Sequence, residues 1–359
     1  MRLLPDTKRI VATIGYPGHG KSIFLASLFG DSFFTLSKTF QNERRKYFVR
    51  ALNDEADRVF YRNAMTVEKL ALPLANPRTK PEPAILEFNG IPQASRRWRR
   101  SIQLTFYDVA GEAFNDGEAI KKYAPFVAEA NDLIFLFDPT HADFSPLSAA
   151  RQVDLIYRTP GRNKRQNFII TLTKMDELRA NDEWWANAII DLWPDIPPSH
   201  SDLPRYLRQM DSLSKMWRAW WTHDKEANNL ISALPKNTRF CALSSLGHQP
   251  VWDCPSCNEI NPSMLQFCYK CYNVWDCPHC KTTNPSTKQS CSNSICGKKN
   301  NEFWQCFEPN CHTINHSALD KCSKCGVYRK PIKLRLFRKP EPFRVRDPLF
   351  WIFRSAGVM

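Results

Sequence analysis

No window of this 359-residue sequence holds 18 consecutive apolar residues, so no transmembrane helix is expected. The opening MRLLPDTKRIVATIG lacks an apolar stretch followed by a small-residue cleavage site, so no signal peptide is expected either. Cytoplasmic location is the resulting expectation. Acidic residues are in deficit: 36 Asp and Glu stand against 50 Lys and Arg, a formal net charge of +14. Half of that excess sits in residues 329–346, where Arg329, Lys330, Lys333, Arg335, Arg338, Lys339, Arg344 and Arg346 face one Glu. Arg96, Arg97, Arg99 and Arg100 form a second cluster. Such blocks suit nucleic acid or an acidic partner, and they equally suit a solvated basic face. Aliphatic residues are scarce from 252 to 325, a stretch full of Cys, Asn, Pro, Ser and Lys. That segment cannot build an apolar core, so something else must hold it.

The rest is ordinary for a soluble globular chain, with 43% apolar and 24% charged residues. The length allows two or three domains. Residues 9–14, 84–88, 102–109, 132–138, 167–173 and 239–245 read as strands, and 132–138 and 167–173 are unbroken apolar runs suited to burial on both faces. Helical spacing marks 22–29, 40–62 and 182–235, the last broken at WPDIPPS. Strands alternating with helices predict an α/β fold with a mostly parallel central sheet over 1–249. A cysteine-rich array is expected at 250–328. The basic tail, 329–359, closes with PLFWIF and is expected to dock on the body.

GYPGHGKS at 15–22 fits G-x-x-x-x-G-K-S, follows a strand and opens a helix. Such a bend aims successive amides at one anion, helped by the helix N-terminus. Gly15, Gly18 and Gly20 allow close backbone approach. Lys21 is placed to reach the β- and γ-phosphates and Ser22 to ligate Mg²⁺. His19 lies within the loop, and its side chain is expected to point outward. YDVAGE ends a strand: Asp108 suits Mg²⁺ through water and the Gly111 amide suits the γ-phosphate. TLTKMD ends another at Thr173, Lys174 and Asp176, where a carboxylate accepts two hydrogen bonds from guanine and rejects adenine. CALSS ends the last strand, with a Ser244 or Ser245 amide for the guanine oxygen. All four lie at C-terminal strand ends, where open α/β sheets bind ligands.

These motifs resemble those of P-loop GTPases of the translation-factor and Ras-like class. The resemblance implies a Mg²⁺-dependent switch that binds GTP and hydrolyses it to GDP. It implies a switch threonine before the second strand; Thr79 fits best and Thr66 next. Glu112 follows DVAG where Ras-like members have Gln, Thr173 replaces the commoner Asn, and Pro17 sits where small residues help an arginine finger. Slow intrinsic hydrolysis is therefore expected, with Lys21, Thr79, Gly111 and Glu112 as the catalytic set and Ser22, Thr79 and Asp108 at Mg²⁺. The inserts at 31–83 and 182–235 resemble those of bacterial double-GTPase types from conflict and defence gene clusters.

Twelve cysteines fall into three copies of one pattern. Trp252 leads Cys254, Cys257, Asn261, Cys268 and Cys271; Trp275 leads Cys277, Cys280, Asn284, Cys291 and Cys296; Trp304 leads Cys306, Cys311, Asn315, Cys322 and Cys325. Paired C-x-x-C spacing predicts three closed tetrahedral thiolate sites for structural Zn²⁺, each supplying roughly 10 kcal/mol or more of folding free energy. Each such site carries −2, which lowers the charge from +14 to +8. Cys241 is left as a buried thiol. The repeat is similar to the short zinc finger of the Ran-binding nucleoporin type. Members bind single-stranded RNA, ubiquitin or small GTPases. The positions that serve RNA binders here hold Pro262, Pro285 and His316, with no arginine pair. Those that serve ubiquitin binders hold Asn258-Glu259, Lys281-Thr282 and His312-Thr313. The tryptophans are expected to pack over their own cysteine knuckles. A protein-contact arm is the expectation, with the protein partner met by the fingers and the switch regions. The rival expectations are a nucleic-acid-binding adaptor acting through the basic tail, with a regulatory P-loop, and an ATPase.

Overall fold

The last four residues of β1 (Thr7–Ile14) are buried on both faces, which places the strand inside a sheet. The computed structural model describes residues 7–16, 19–28, 48–73, 82–91, 100–108, 117–141, 144–159, 161, 163–178, 203–222, 224–247, 250–263, 265, 268–271, 274–277, 279–285, 291–293, 295–296, 298, 303–308, 311, 313–329, 333–337 and 342–359. These residues divide into two units. The first comprises 1–69, 73–248 and 340–359, and the second 70–72 and 249–339. The residues expected to form one basic tail are thus shared between the units.

The first unit is built on a sheet of order β2-β3-β4-β1-β5-β6-β7. Its other strands are β2 (Phe48–Ala51), β3 (Pro83–Ile91), β4 (Arg100–Asp108), β5 (Asp132–Phe137), β6 (Asn167–Leu172) and β7 (Arg239–Ala242). β4, β1, β5, β6 and β7 are parallel, while β3 runs antiparallel to β2 and β4. Side-chain alternation splits the core in two. Val11, Leu104, Phe106, Ile134 and Leu136 face one side, and Ala12, Leu133, Phe135, Phe137 and Ile170 the other. At the N-terminal edge Arg9 grips the buried Asp132 with two bonds of 2.6 and 2.9 Å, and Asn167 adds a third.

Helix α1 runs through 21–28. Residues 40–62 carry a helical pattern, yet β2 occupies Phe48–Ala51. Val49 lies opposite Phe88 and Ala51 opposite Leu86, so cross-strand packing with β3 outweighs local periodicity. Asn53 then caps α2 (Asp54–Ala56), which continues through wide turns at Asp57–Arg62 into α3 (Asn63–Glu68). Further helices are α4 (Gly117–Tyr123), α5 (Phe126–Glu129), α6 (Pro146–Tyr157), α7 (Met175–Leu178), α8 (Leu203–Trp221) and α9 (Lys225–Ser232). The closing α10 (Asp347–Ser355) is buried from Asp347 through Phe353. Phe353 meets Phe88 edge-on at 5.3 Å and Phe350 meets Tyr206 at 5.8 Å. Cys241 is buried beneath it, and burial pushes its thiol up. Among the described residues, no helix is long and apolar enough to cross a membrane.

Among its described residues the second unit holds three antiparallel hairpins: β8 (Val251–Asp253) with β9 (Ile260–Pro262), β10 (Val274–Asp276) with β11 (Thr283–Pro285), and β12 (Phe303–Gln305) with β13 (Ile314–His316). Phe353→Ala is expected to destabilise the first unit by about 3–5 kcal/mol. Denaturant titration followed by tryptophan fluorescence measures it; a loss below about 1 kcal/mol would show that α10 is not part of the core.

Candidate nucleotide site and metal centres

β1 ends at Ile14 and the chain bends at once across the end of β5. A Cβ added to Gly15 would stand 2.6 Å from the carbonyl oxygen of Leu136, so only glycine lets the bend sit this close. Gly20 takes φ +84°, which only glycine adopts freely, and its carbonyl accepts from Phe24 to start α1. Lys21 Nζ donates back across the bend to the carbonyls of Gly15 (2.6 Å) and Tyr16 (3.1 Å). Its ammonium is therefore held over the loop by carbonyls that anionic oxygens can replace. Ser22 stands half-buried at the start of the helix. Gly18, Thr79, Gly111 and Glu112 lie outside the described residues, as does the Arg96–Arg99 stretch; of Asp108 the backbone is placed, ending β4 opposite Thr13. Thr66, the second switch candidate, sits on α3 with its hydroxyl donating to the carbonyl of Arg62.

His19 does not point outward. It is 3% exposed and turns in against the end of β5, with Nδ1 3.3 Å from both the Leu136 carbonyl and the Asp138 amide. The rings of Tyr16 and His141 flank it, at 5.4 and 5.2 Å. Burial pushes it down to about 4, Asp138 opposing and His141 and Lys21 adding to the effect. A neutral ring with Nδ1 accepting from Asp138 N–H fits this environment. The apolar end of β5 left room for a ring, which outweighed the preference of an imidazole for water.

The residues expected to read the base converge from the ends of β6 and β7. Thr173 Oγ1 lies 3.1 Å from the carbonyl of His19 and 3.2 Å from that of Phe137, tying β6 to the glycine bend. Lys174 takes φ +53° and pairs with the buried Asp138 at 2.7 Å. Left-handed backbone at a non-glycine residue costs of order 1 kcal/mol, and the ion pair contributes to offsetting it. Thr140 gives Asp138 Oδ1 two more bonds, 2.8 and 2.6 Å. Burial works against the charge of Asp138; Lys174 and Thr140 outweigh it and hold the carboxyl low. Burial also opposes the charge of Lys174, and Glu177, Asp138 and Asp176 overcome it, raising Lys174. Glu177 is pushed up to about 7 by burial, against Lys174 and with Asp138 and Asp176.

Asp176 is aimed by Ser244, whose hydroxyl donates to its Oδ1 and accepts from the Gly247 amide at 2.7 Å. The Ser244 amide is not available to a base: it donates to the Phe343 carbonyl at 3.0 Å. Of the expected serine pair, Ser244 engages Asp176 through its side chain. Asp138 and Phe343 are the residues that motif reading missed. Asp138 had a signal, an acid closing the apolar run DLIFLFD; Phe343, almost a hundred residues from Ser244, had none.

In the second unit the four Sγ atoms of each cluster lie within 4.8 Å of one another. Sγ–Sγ separations include 3.7 and 3.5 Å in the first cluster, 3.7 and 3.4 Å in the second, and 3.5 and 3.5 Å in the third. A tetrahedron with Zn–S bonds of roughly 2.3 Å has edges of about 3.8 Å, whereas a disulfide needs about 2.0 Å. The donor sets therefore fit one tetrahedral ion each. Trp252, Trp275 and Trp304 pack against their own cysteines. The asparagine of each repeat does a job its spacing did not reveal. Asn261, Asn284 and Asn315 are buried opposite those tryptophans. Each donates Nδ2 to a carbonyl two residues back and accepts at Oδ1 from the amide eight residues on. It thus joins the two cysteine knuckles. Asn258, Lys281 and Gly326, each following a second cysteine of a knuckle, take left-handed φ values of 57°, 62° and 71°.

No protein-family model matches the chain, and no curated protein does. Solved structures similar to it include a GTP-binding protein from the archaeon Sulfolobus solfataricus in complex with GDP, at 13% identity over 66% of this chain and 47% of that one, TM-score 0.28. The G domain of the T. maritima FeoB iron transporter is 14% identical over 51% of this chain and 83% of its own, TM-score 0.23. The S. cerevisiae Ski7 GTPase-like domain bound to GTP is 12% identical over 67% and 43%, TM-score 0.30. The chain spans about half the length of the archaeal protein. At these values nothing is transferred from them to the site residues.

Three outcomes test this geometry. His19 binds fewer protons folded than unfolded between pH 6.5 and about 4, so it contributes stability above pH 6.5 that is lost as pH falls through that window. Wild type is expected to lose about 3 kcal/mol more than His19→Asn between pH 7 and 4 in matched denaturant titrations; parallel curves would place the ring in water. Native mass spectrometry is expected to find three zinc ions per chain, and Asn284→Ala to weaken the second site about tenfold in chelator competition. Unaltered competition would show that the asparagine does not support the thiolates.

Proposed function

We propose that the chain is a guanine-nucleotide switch that hydrolyses GTP slowly to GDP, with a zinc-finger arm for a protein partner. One observation carries the reading. Lys21, Thr173, Lys174 and Asp176 stand at the C-terminal ends of parallel strands, and Ser244 fixes the Asp176 carboxylate. A phosphate chain would take Lys21 from the Gly15 and Tyr16 carbonyls. Asp176 would accept two bonds from the guanine edge while Lys174, pinned by Asp138, flanks the base and the Ser245 amide meets its oxygen. Ser22 and Asp108 would hold Mg²⁺, which when bound neutralises charge between the β- and γ-phosphates. The Gly111 amide and Thr79 would sense the γ-phosphate, so that GTP orders both segments and hydrolysis releases them. Glu112, a poorer water-positioning group than Gln, keeps the turnover slow.

The arm is proposed to be of the Ran-binding type and to meet a protein. The nucleic-acid reading loses part of its surface: Arg335 is paired with Asp253, Arg344 with Asp347, and Arg346 is buried. A role in a conflict or defence system rests on the length of the two inserts alone.

Asp176→Asn is expected to weaken GDP binding at least about a hundredfold and to create xanthosine diphosphate binding, both read by calorimetry with Mg²⁺. Equal GDP affinity in the variant would end the guanine assignment, and the ATPase reading predicts that outcome. Steep salt dependence of RNA or DNA binding, in place of nucleotide-dependent partner binding, would favour the adaptor.

A further inference from the structure

The loop that aims Asp176 is itself held from the far end of the chain. Ser244 and Phe343 exchange two backbone hydrogen bonds: Ser244 N–H to the Phe343 carbonyl, 3.0 Å, and Phe343 N–H to the Ser244 carbonyl, 2.7 Å. Both partners belong to the first unit, although residues 249–339 are inserted between them. Phe343 is in turn anchored by its neighbours. Arg344 takes φ +53° and bonds the buried Asp347 at 2.7 Å; Asp347 also accepts from the Tyr206 hydroxyl of α8, and the Arg344 guanidinium lies 4.9 Å over the Tyr206 ring. Asp347 opens α10, which is sunk in the core. The chain of contacts therefore runs from the core through Asp347, Arg344 and Phe343 to Ser244 and Asp176.

We infer that the segment Phe343–Asp347 is a positioning brace for the base-reading loop and sets guanine affinity and selectivity without touching the nucleotide. This rests on the guanine-nucleotide reading above. The physical reason is a shortage of local support. The turn after β7 has one strand neighbour, β6, and Ser244 lies past the last paired residue, Ala242. Its amide and carbonyl need partners from elsewhere, and Phe343 supplies both. An untethered Ser244 would let the Asp176 carboxylate swing, and a base read by two parallel bonds is the ligand most sensitive to that swing.

The test uses the full chain with Mg²⁺ and the fluorescent GDP analogue mant-GDP. Phe343→Pro removes the amide donor, and Phe343→Ala keeps it. Phe343→Pro is expected to release mant-GDP about tenfold faster than wild type, the worth of one hydrogen bond. It is also expected to narrow the preference for GDP over inosine diphosphate, which lacks the amino group that Asp176 would read. Phe343→Ala should release at the wild-type rate. If Phe343→Pro fails to fold by circular dichroism, Asp347→Asn, which keeps the shape and weakens the hold on Arg344, is expected to quicken release about threefold with the same narrowing. Release rates and base preference equal to wild type in the folded variant overturn the brace while leaving the guanine site in place. A wild-type chain that takes up no guanine nucleotide overturns both.

Discussion

The bend at Gly15–Gly20 must lie against the backbone of β5, and most of the site follows from that close approach. Gly15 leaves no room for a side chain beside the Leu136 carbonyl. Because the bend is that near, His19 can turn inward onto the Asp138 amide, and Thr173 can reach the His19 carbonyl. Asp138, at the same strand end, then pairs with Lys174, whose backbone is left-handed. The glycine bend and the residues that follow β6 are thus cross-linked through one strand terminus. A change at any member propagates to the others, as expected where buried polar groups share partners.

The two units solve their stability problem by different means. The first buries aliphatic and aromatic residues on both faces of a wide sheet and adds α10 to one of them. The second has hairpins of three-residue strands, each with a tryptophan, an asparagine and four cysteines. A strand pair that short is not stable alone. The thiolate quartets are placed where a tetrahedral ion would join the halves of each repeat, and the buried asparagine joins them again through the backbone.

The charge distribution changes meaning once the fold is known. A run of basic residues before the C-terminus reads as one surface patch, yet Arg344 and Arg346 are inside the first unit and Arg335 is engaged in the second. Of these arginines, Arg344 is buried against the buried Asp347, each compensating a charge that burial would otherwise leave unpaired.

Local chemistry was legible in the order of residues. The unbroken apolar runs of β5 and β6, the glycine bend opening a helix, and the cysteine spacing each depend on neighbours in the chain, so pattern alone specifies them. The helical reading of 40–62 holds over Asp54–Arg62 and fails at Phe48–Ala51, where Val49 and Ala51 pair with β3, a partner more than thirty residues away. His19, Asp138 and Phe343 acquired their places from contacts with residues roughly a hundred positions distant. Periodicity and spacing carry what a segment can do by itself. Which way an imidazole turns, and which strand end a returning chain is tied to, are decided only when the sheet brings those distant backbones together.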